Sequence, residues 1–305
     1  MLKHRLLMSA LLIPGAIGLF VWDHSYGSNA APVLFVVLLA ISARCVWELV
    51  VLSRAAGFQP SLALCWIWTW SLLFAVWATR LFPSSSMSYL FQQGHVPLGW
   101  FAFISVSILL MAVIRFRPPQ ASADVVANAF LPVGQQFVSA AIEFFIIHYI
   151  GMMLAVTAQM RWFQEDYFAL GALVIATKMG DVGAYTFGRL IGGPKMTPRL
   201  SPGKTWSGGV GHVVTAGLSS AAWLCWLGHR VNDQWQNWAF SSAILFGVVV
   251  GFAGLVGDLA ESLIKRDVGV KDAPALFPGF GGLLDVMDSL LLAGPVAVFM
   301  WHWAR

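Results

Sequence analysis

Residues 240–265 read FSSAILFGVVVGFAGLVGDLAESLIK. A stretch this apolar is long enough to cross a bilayer, whose hydrocarbon core takes roughly 20 residues of helix. Its last part breaks the pattern. Asp258, Glu261 and Lys265 follow one another at helical intervals, so a helix sets all three on one face. An ionised side chain at bilayer depth costs roughly 3 kcal/mol or more, so it faces protein or water and takes a partner. A membrane helix that ends in a charged face is the expectation from which the rest of the chain is read.

Composition extends that expectation to the whole chain. Of 305 residues, 58% are hydrophobic and 10% charged, against roughly 25% charged in an ordinary soluble domain. So few charges cannot cover a water-facing surface, which excludes a soluble domain, a disordered chain and a secreted disulfide scaffold. Cys45, Cys65 and Cys225 lie in apolar runs at unrelated spacings and predict neither a disulfide framework nor a zinc site. The net charge of +4 is scattered among apolar runs, which fits membrane topology and gives no nucleic-acid footprint.

The expected fold is an all-α polytopic membrane protein with about nine transmembrane helices. The nine stretches lie near 6–22, 32–52, 62–82, 97–114, 137–158, 167–187, 208–228, 240–265 and 283–303. The first resembles a signal peptide, with Lys3 and Arg5 ahead of it, but no small-residue cleavage site follows and it is read as retained. Alternating the loops places twelve of the 18 Lys and Arg residues on one side and four (Arg80, Arg161, Arg230, Arg305) on the other, with Arg44 and Lys178 inside spans. The positive-inside rule then puts the N-terminus in the cytoplasm and the C-terminus outside. Near residue 165 the character changes. Residues 1–165 are expected to hold about five plain spans, and residues 166–305 about four spans with Gly, Asp and Lys inside them and basic cytoplasmic loops between them.

The ionisable residues within spans narrow the search. Arg44 and Glu48, four apart, read as a structural ion pair. Glu143 and His148 share a span without sharing a face. The others gather in three segments: Lys178 with Asp181, Asp258 with Glu261 and Lys265, and Asp285 with Asp288. All three adjoin cytoplasmic loops, and five carboxylates there outnumber two lysines. Interhelical salt bridges or an ion-transport relay are two readings. Hard divalent ions such as Mg²⁺, which take carboxylate oxygens, are a third.

The loops favour the third. Residues 192–209, GGPKMTPRLSPGKTWSGG, set three cations among glycines and prolines. Ser201, Lys204 and Thr205 imitate the end of a phosphate-binding Walker loop, but Pro198 occupies the position of its first glycine, so a P-loop is excluded. Residues 265–282 add Lys265, Arg266 and Lys271 and end in Gly281-Gly282. Cations that merely enforce topology are the competing reading of any one of these. Carboxylates for metal, cations for phosphate and glycines for close approach together point to phosphoryl or nucleotidyl transfer at a membrane surface.

Two stretches, SLIKRDVGVKD at 262–272 and PGFGGLLDVMD at 278–288, resemble the signature of the phosphatidate cytidylyltransferases, or CDP-diglyceride synthetases. GDVGAYTFGR at 180–189, LSPGKTW at 200–206 and GDLAES at 257–262 look like further blocks of that family. The resemblance is firm over about 175–290. It implies transfer of a cytidylyl group from CTP to phosphatidate at the membrane, giving CDP-diacylglycerol and pyrophosphate, with Mg²⁺ and a second cation as cofactors and a homodimer as the assembly. It further implies Asp258 and Asp285 as metal ligands with Glu261, and Lys265 and Asp288 beside them in catalysis. Asp181, Ser201, Lys204, Thr205, Arg266, Lys271, Gly281 and Gly282 would hold the substrates. A bacterial cytoplasmic membrane is the expected location.

Two positions depart from the family pattern. Phe280 stands where the family has histidine, and Val286 where it has arginine. Losing both removes positive charge or donors from the site, so a paralogue acting on another lipid phosphate or nucleotide, or one without catalysis, is the alternative. A small-ion or lipid-phosphate transporter is the other class; it requires carboxylates near the bilayer midplane, whereas these crowd towards helix ends beside basic loops.

Overall fold

The computed structural model describes residues 18, 21–23, 30–81, 95–114, 135–163, 167–227, 230, 238–270, 274 and 281–303. With no water to satisfy the backbone inside a bilayer, an apolar chain must close its hydrogen bonds within helices, and almost all of the described chain does so. Helix α1 runs Pro32–Ala55, α2 Leu62–Leu81, α3 His95–Ile114 and α4 Gln135–Ile146. The α4 helix continues through a π-helical stretch, Ile147–Met152, into α5, Met153–Ala158, and a 3₁₀ turn, Gln159–Trp162. Beyond it come α6, Phe168–Leu190, α7, Trp206–Ala222, which ends in a π-helical turn over Trp223–Leu227, α8, Phe240–Asp267, and α9, Leu284–Trp303.

Among the described residues six helical stretches are long and apolar enough to cross a membrane: Pro32–Ala55, Gln136–Trp162, Phe168–Leu190, Trp206–Leu227, Phe240–Asp267 and Leu284–Trp303. The apolar part of α2, Leu62–Ala78, is shorter. The protein is thus an all-α integral membrane protein with one small exception. The first expected span, near 6–22, lies outside the described residues apart from Gly18, Val21 and Trp22, and so does the connection 115–134.

The exception is a two-stranded antiparallel hairpin of β1, Lys195–Thr197, and β2, Ser201–Thr205, which pairs Lys195 with Thr205 and Thr197 with Ser201. The sequence reading treats this segment as a loop. Pro198, between the strands, cannot donate to a ladder and suits the connection. At the far end the Thr205 hydroxyl accepts the Gly208 N–H at 3.2 Å and caps α7. That is the usual work of a threonine at this position.

The described chain packs as two units. One comprises residues 37–152. Within it Arg44 donates to Glu48 at 2.7 Å, the structural ion pair that the spacing predicts. Glu143, 2% exposed, accepts the Ser61 N–H at 2.7 Å where the chain enters α2. His148 contacts the Phe144 carbonyl at 2.7 Å through Nδ1. These groups serve helix packing.

The other unit comprises residues 1–36 and 153–305. Helices α6 and α7 are antiparallel, since the start of α6 meets the end of α7: the Trp223 indole N–H donates to the Phe168 carbonyl at 3.0 Å. Helices α8 and α9 are antiparallel by the same test, with Phe246 packed edge-on against Trp301 at 5.8 Å between centroids. Phe168, Trp238, Phe246 and Trp301 stack into one buried aromatic core at that end. Close approach of α6 and α7 depends on small residues, the general device for packing helices in lipid. A Cβ on Gly183 would stand 2.6 Å from the Gly211 carbonyl oxygen. Buried Asp23 accepts the Tyr167 hydroxyl and the Val33 N–H (2.9 Å) and faces Arg161 at 3.9 Å, which fastens the chain before α1 to the entrance of α6.

Candidate active site

The antiparallel order has a consequence for charge. Aromatic side chains occupy the start of α6 and α8 and the end of α7 and α9. The opposite ends, late in α6 and α8 and early in α7 and α9, therefore come together. Asp181 lies late in α6, Asp258 late in α8, and Asp285 and Asp288 in the first turns of α9. All four line one cavity of about 590 Å³, with Lys204 and Thr205 of the hairpin on the same wall. Six of the residues singled out in the sequence thus face one space.

Each acidic group has its own setting. Lys204 Nζ stands 2.6 Å from Asp258 Oδ2 and ties the hairpin to α8. Lys265 Nζ stands 2.6 Å from Asp285 Oδ1 and 2.8 Å from Glu261 Oε2, so one ammonium joins α8 to α9. The Gly282 N–H donates to the other oxygen of Asp285 at 2.8 Å. Gly281 has a φ of +83°, a conformation that a side chain disfavours, and a Cβ there would collide with that same carboxylate oxygen. The two glycines thus bring backbone directly onto Asp285. Asp288, 6% exposed, accepts the Ser289 N–H at 2.5 Å.

Lys178 is spent on helix placement. Its ammonium donates to the Val286 carbonyl at 2.9 Å and the Ser289 hydroxyl at 3.2 Å, and reaches Asp181 at 3.4 Å. The turn that holds Val286 therefore has a cation beside it, supplied by α6. Phe280, the other departure, lies outside the described residues.

Other expected site residues are not brought to the cavity wall. Glu261 is buried behind it on Lys265. Arg266 is exposed and donates to the Leu200 carbonyl at 3.3 Å, bracing the hairpin. Ser201 sits at the start of β2, paired with Thr197. Lys271 lies outside the described residues. His212 is the residue that sequence reasoning missed. It lies in the second turn of α7, is 1% exposed, lines the cavity, and places Nδ1 3.7 Å from Asp181 Oδ1. Its ring fits against Gly180, where a Cβ would stand 2.6 Å from Nε2. The available signal is a histidine inside an apolar span, which marks a functional position as acids and lysines do.

The donor set suits a hard cation. Asp258 and Asp285 present carboxylate oxygens to one cavity, and no group of three His, Cys, Asp or Glu residues converges on a point among the described residues. Mg²⁺ commonly takes one or two carboxylates and completes its shell with water and substrate phosphate, so two carboxylates on an open wall fit it. The cavity therefore offers cation-binding oxygens and, beside them, a lysine that can bind phosphate.

Known proteins match part of the chain. The chain is 36% identical over 146 residues to a phosphatidate cytidylyltransferase of Synechocystis, covering 45% of this chain and 46% of the relative. It is 32% identical over 173 residues to one of Mycobacterium leprae, covering 56% and 51%. An uncharacterised Escherichia coli protein, YnbB, is 38% identical over 124 residues, or 41% and 39% of the two chains. The chain thus spans about half the length of these relatives or less. The sequence pattern of the Cytidylyltransferase family, by contrast, matches residues 3–304. By that match across nearly its whole length, this chain belongs to the cytidylyltransferase family.

Proposed function

We propose that this protein transfers a cytidylyl group from CTP to phosphatidate, forming CDP-diacylglycerol and pyrophosphate for phospholipid synthesis. The observation that carries the reading is the single cavity in which Lys204 of the hairpin stands with Asp258, Asp285 and Asp288 at the ends of apolar helices. The phosphatidate cytidylyltransferase activity of the Synechocystis and Mycobacterium leprae relatives supports it.

The lipid phosphate is anionic at neutral pH and needs no strong base. One of its oxygens attacks the α-phosphorus of CTP, a P–O bond forms, and the bond to the β-phosphate breaks with release of pyrophosphate. Lys204 exchanges its contact with Asp258 for the triphosphate, helped by Lys271 and the Ser201–Thr205 backbone at the hairpin, which Arg266 braces through the Leu200 carbonyl. Lys265 and the Gly281–Gly282 turn fix the orientation of Asp285, and Asp181 and Asp288 complete the acidic wall. A Mg²⁺ ion held by Asp258 and Asp285 with Glu261 behind them, with a second cation beside it, would supply charge neutralisation for the departing pyrophosphate. Lys204, beside Asp258, supports the same developing charge.

The reading extends to the membrane. Nine spans, with the N-terminus cytoplasmic and the C-terminus outside, put Lys204, Lys265, Arg266 and Lys271 on the side where CTP is available. A bacterial cytoplasmic membrane, a homodimer and a catalytic region of residues 166–305 following spans in 1–165 belong to the same proposal.

The test is purified protein in detergent with phosphatidate, labelled CTP and Mg²⁺, beside Asp285→Asn. Labelled CDP-diacylglycerol that disappears in the variant supports the reaction. Folded protein that binds CTP and yields no product from phosphatidate overturns it and points to another lipid phosphate or to a non-catalytic role.

A further inference from the structure

Two permanently charged cations stand on the cavity wall, Lys204 and Arg189. Lys204 is committed to Asp258. Arg189, in the last turn of α6, has no carboxylate partner among the described residues; its Nη1 donates to the Tyr185 hydroxyl at 2.6 Å. Its guanidinium carbon lies 5.9 Å from the Tyr185 ring centroid. Tyr185 also lines the cavity and is 66% exposed.

The surroundings of Arg189 are apolar and open. Val182, Tyr185 and Arg189 share one face of α6, at intervals of three and four residues. Leu190 (80% exposed) and Ile191 (68%) follow directly, and Trp206 (57%) opens α7. In a membrane protein such exposed apolar side chains meet lipid tails, while tyrosine and arginine sit at headgroup level. Arg189 differs from a generic interfacial arginine because it also faces the acidic cavity. A guanidinium fork matches two oxygens of a phosphomonoester, and Asp181, Asp258, Asp285 and Asp288 on the same cavity disfavour that anion beside them. A lipid phosphomonoester combines such a phosphate with long apolar chains, and the phosphatidate of the proposed reaction is one.

We propose that Arg189, braced by Tyr185, holds the phosphomonoester of the lipid substrate at the mouth of the cavity, with the acyl chains against Val182, Leu190, Ile191 and Trp206, apart from the nucleotide phosphates at Lys204. This inference rests on the proposed reaction for its lipid.

The test uses the full chain in mixed micelles that contain dioleoyl phosphatidate or dioleoyl phosphatidylcholine, with wild type, Arg189→Gln and Arg189→Lys compared. Lipid retained by the protein is measured by native mass spectrometry, and KM is measured for each substrate. Arg189→Gln is expected to raise KM for phosphatidate roughly tenfold or more, to leave KM for CTP unchanged, and to lose phosphatidate but not phosphatidylcholine. Arg189→Lys should fall between. A rise in KM for CTP instead, an equal loss of both lipids, or wild-type behaviour in Arg189→Gln overturns the assignment, as does a wild type that shows no preference for phosphatidate. Unchanged CTP affinity and elution volume report that the variant is folded. If the wild type retains phosphatidate without turnover and Arg189→Gln does not, the subsite stands and the reaction falls.

Discussion

The ammonium of Lys204 lies 2.6 Å from the carboxylate of Asp258, which joins the hairpin before α7 to the last part of α8. The lysine is 19% exposed and the aspartate 36%, so the pair is open to a ligand arriving from the cavity. Such a pair holds the hairpin in place, and under the proposed reaction a triphosphate would compete for the lysine.

Lys204→Ala is expected to lower kcat/KM for CTP by roughly 10²-fold, the usual cost of a cation aimed at developing phosphate charge. Asp258→Ala should lower it as well. The double variant should show a coupling of about 1 kcal/mol or more, as contacting residues in one network do. Strict additivity in the three kinetic measurements would place the two residues in separate tasks.

Asp285→Asn keeps the shape and the Gly282 contact but loses the charge. Turnover should fall by roughly 10²-fold or more, with CTP affinity measured by equilibrium dialysis changing far less. Chelation with EDTA should abolish wild-type turnover and added Mg²⁺ restore it. Full activity in either Asp285→Asn or chelated enzyme removes Asp285 from the reaction.

Gly180→Ala should cost about 1–3 kcal/mol, since the new methyl would stand 2.6 Å from His212 Nε2 in a filled interior. Thermal unfolding in detergent would show the loss. Adding His212→Ala should make room for that methyl, so the double variant unfolds at a higher temperature than Gly180→Ala alone. Equal melting temperatures for wild type and Gly180→Ala would mean that the ring is free to move away.

Asp23→Ala removes the acceptor of the Tyr167 hydroxyl and the Val33 N–H and the carboxylate facing Arg161. A loss of roughly 3 kcal/mol or more is expected for breaking a buried charged network. KM for either substrate should stay put, because the network involves the entrance of α6 and the cavity lies at its other end. A change in KM with an unchanged melting temperature would reverse that assignment.

Much of this architecture is legible from the chain. A run such as 240–257 can only be a helix in lipid, and the spacings 178/181, 258/261/265 and 285/288 set each charged patch on a helix face. Other parts are not legible. The short hairpin reads as a loop because glycine and proline mask three- and five-residue strands. Arg266, expected at phosphate, instead braces the Leu200 carbonyl. Thr205, expected at substrate, caps α7 while lining the cavity. His212 escapes notice because a lone histidine on an apolar helix has no spacing partner in its own segment; its partner, Asp181, is on another helix.

By itself the sequence determined that this protein lives in a membrane, that it is built of apolar helices, six of them long enough to cross among the described residues, and which ends of them carry charge, because hydropathy and helical period act along the chain. Tertiary structure decided which charges meet. Lys265 of α8 could have served any nearby acid, and it bridges Glu261 to Asp285 of α9. Lys178 reaches across to the Val286 carbonyl and supplies a cation where the local sequence lacks one. Those pairings follow from antiparallel packing and from glycines that let α6 and α7 close on each other. Such distances depend on several segments at once, and no single stretch of sequence contains them.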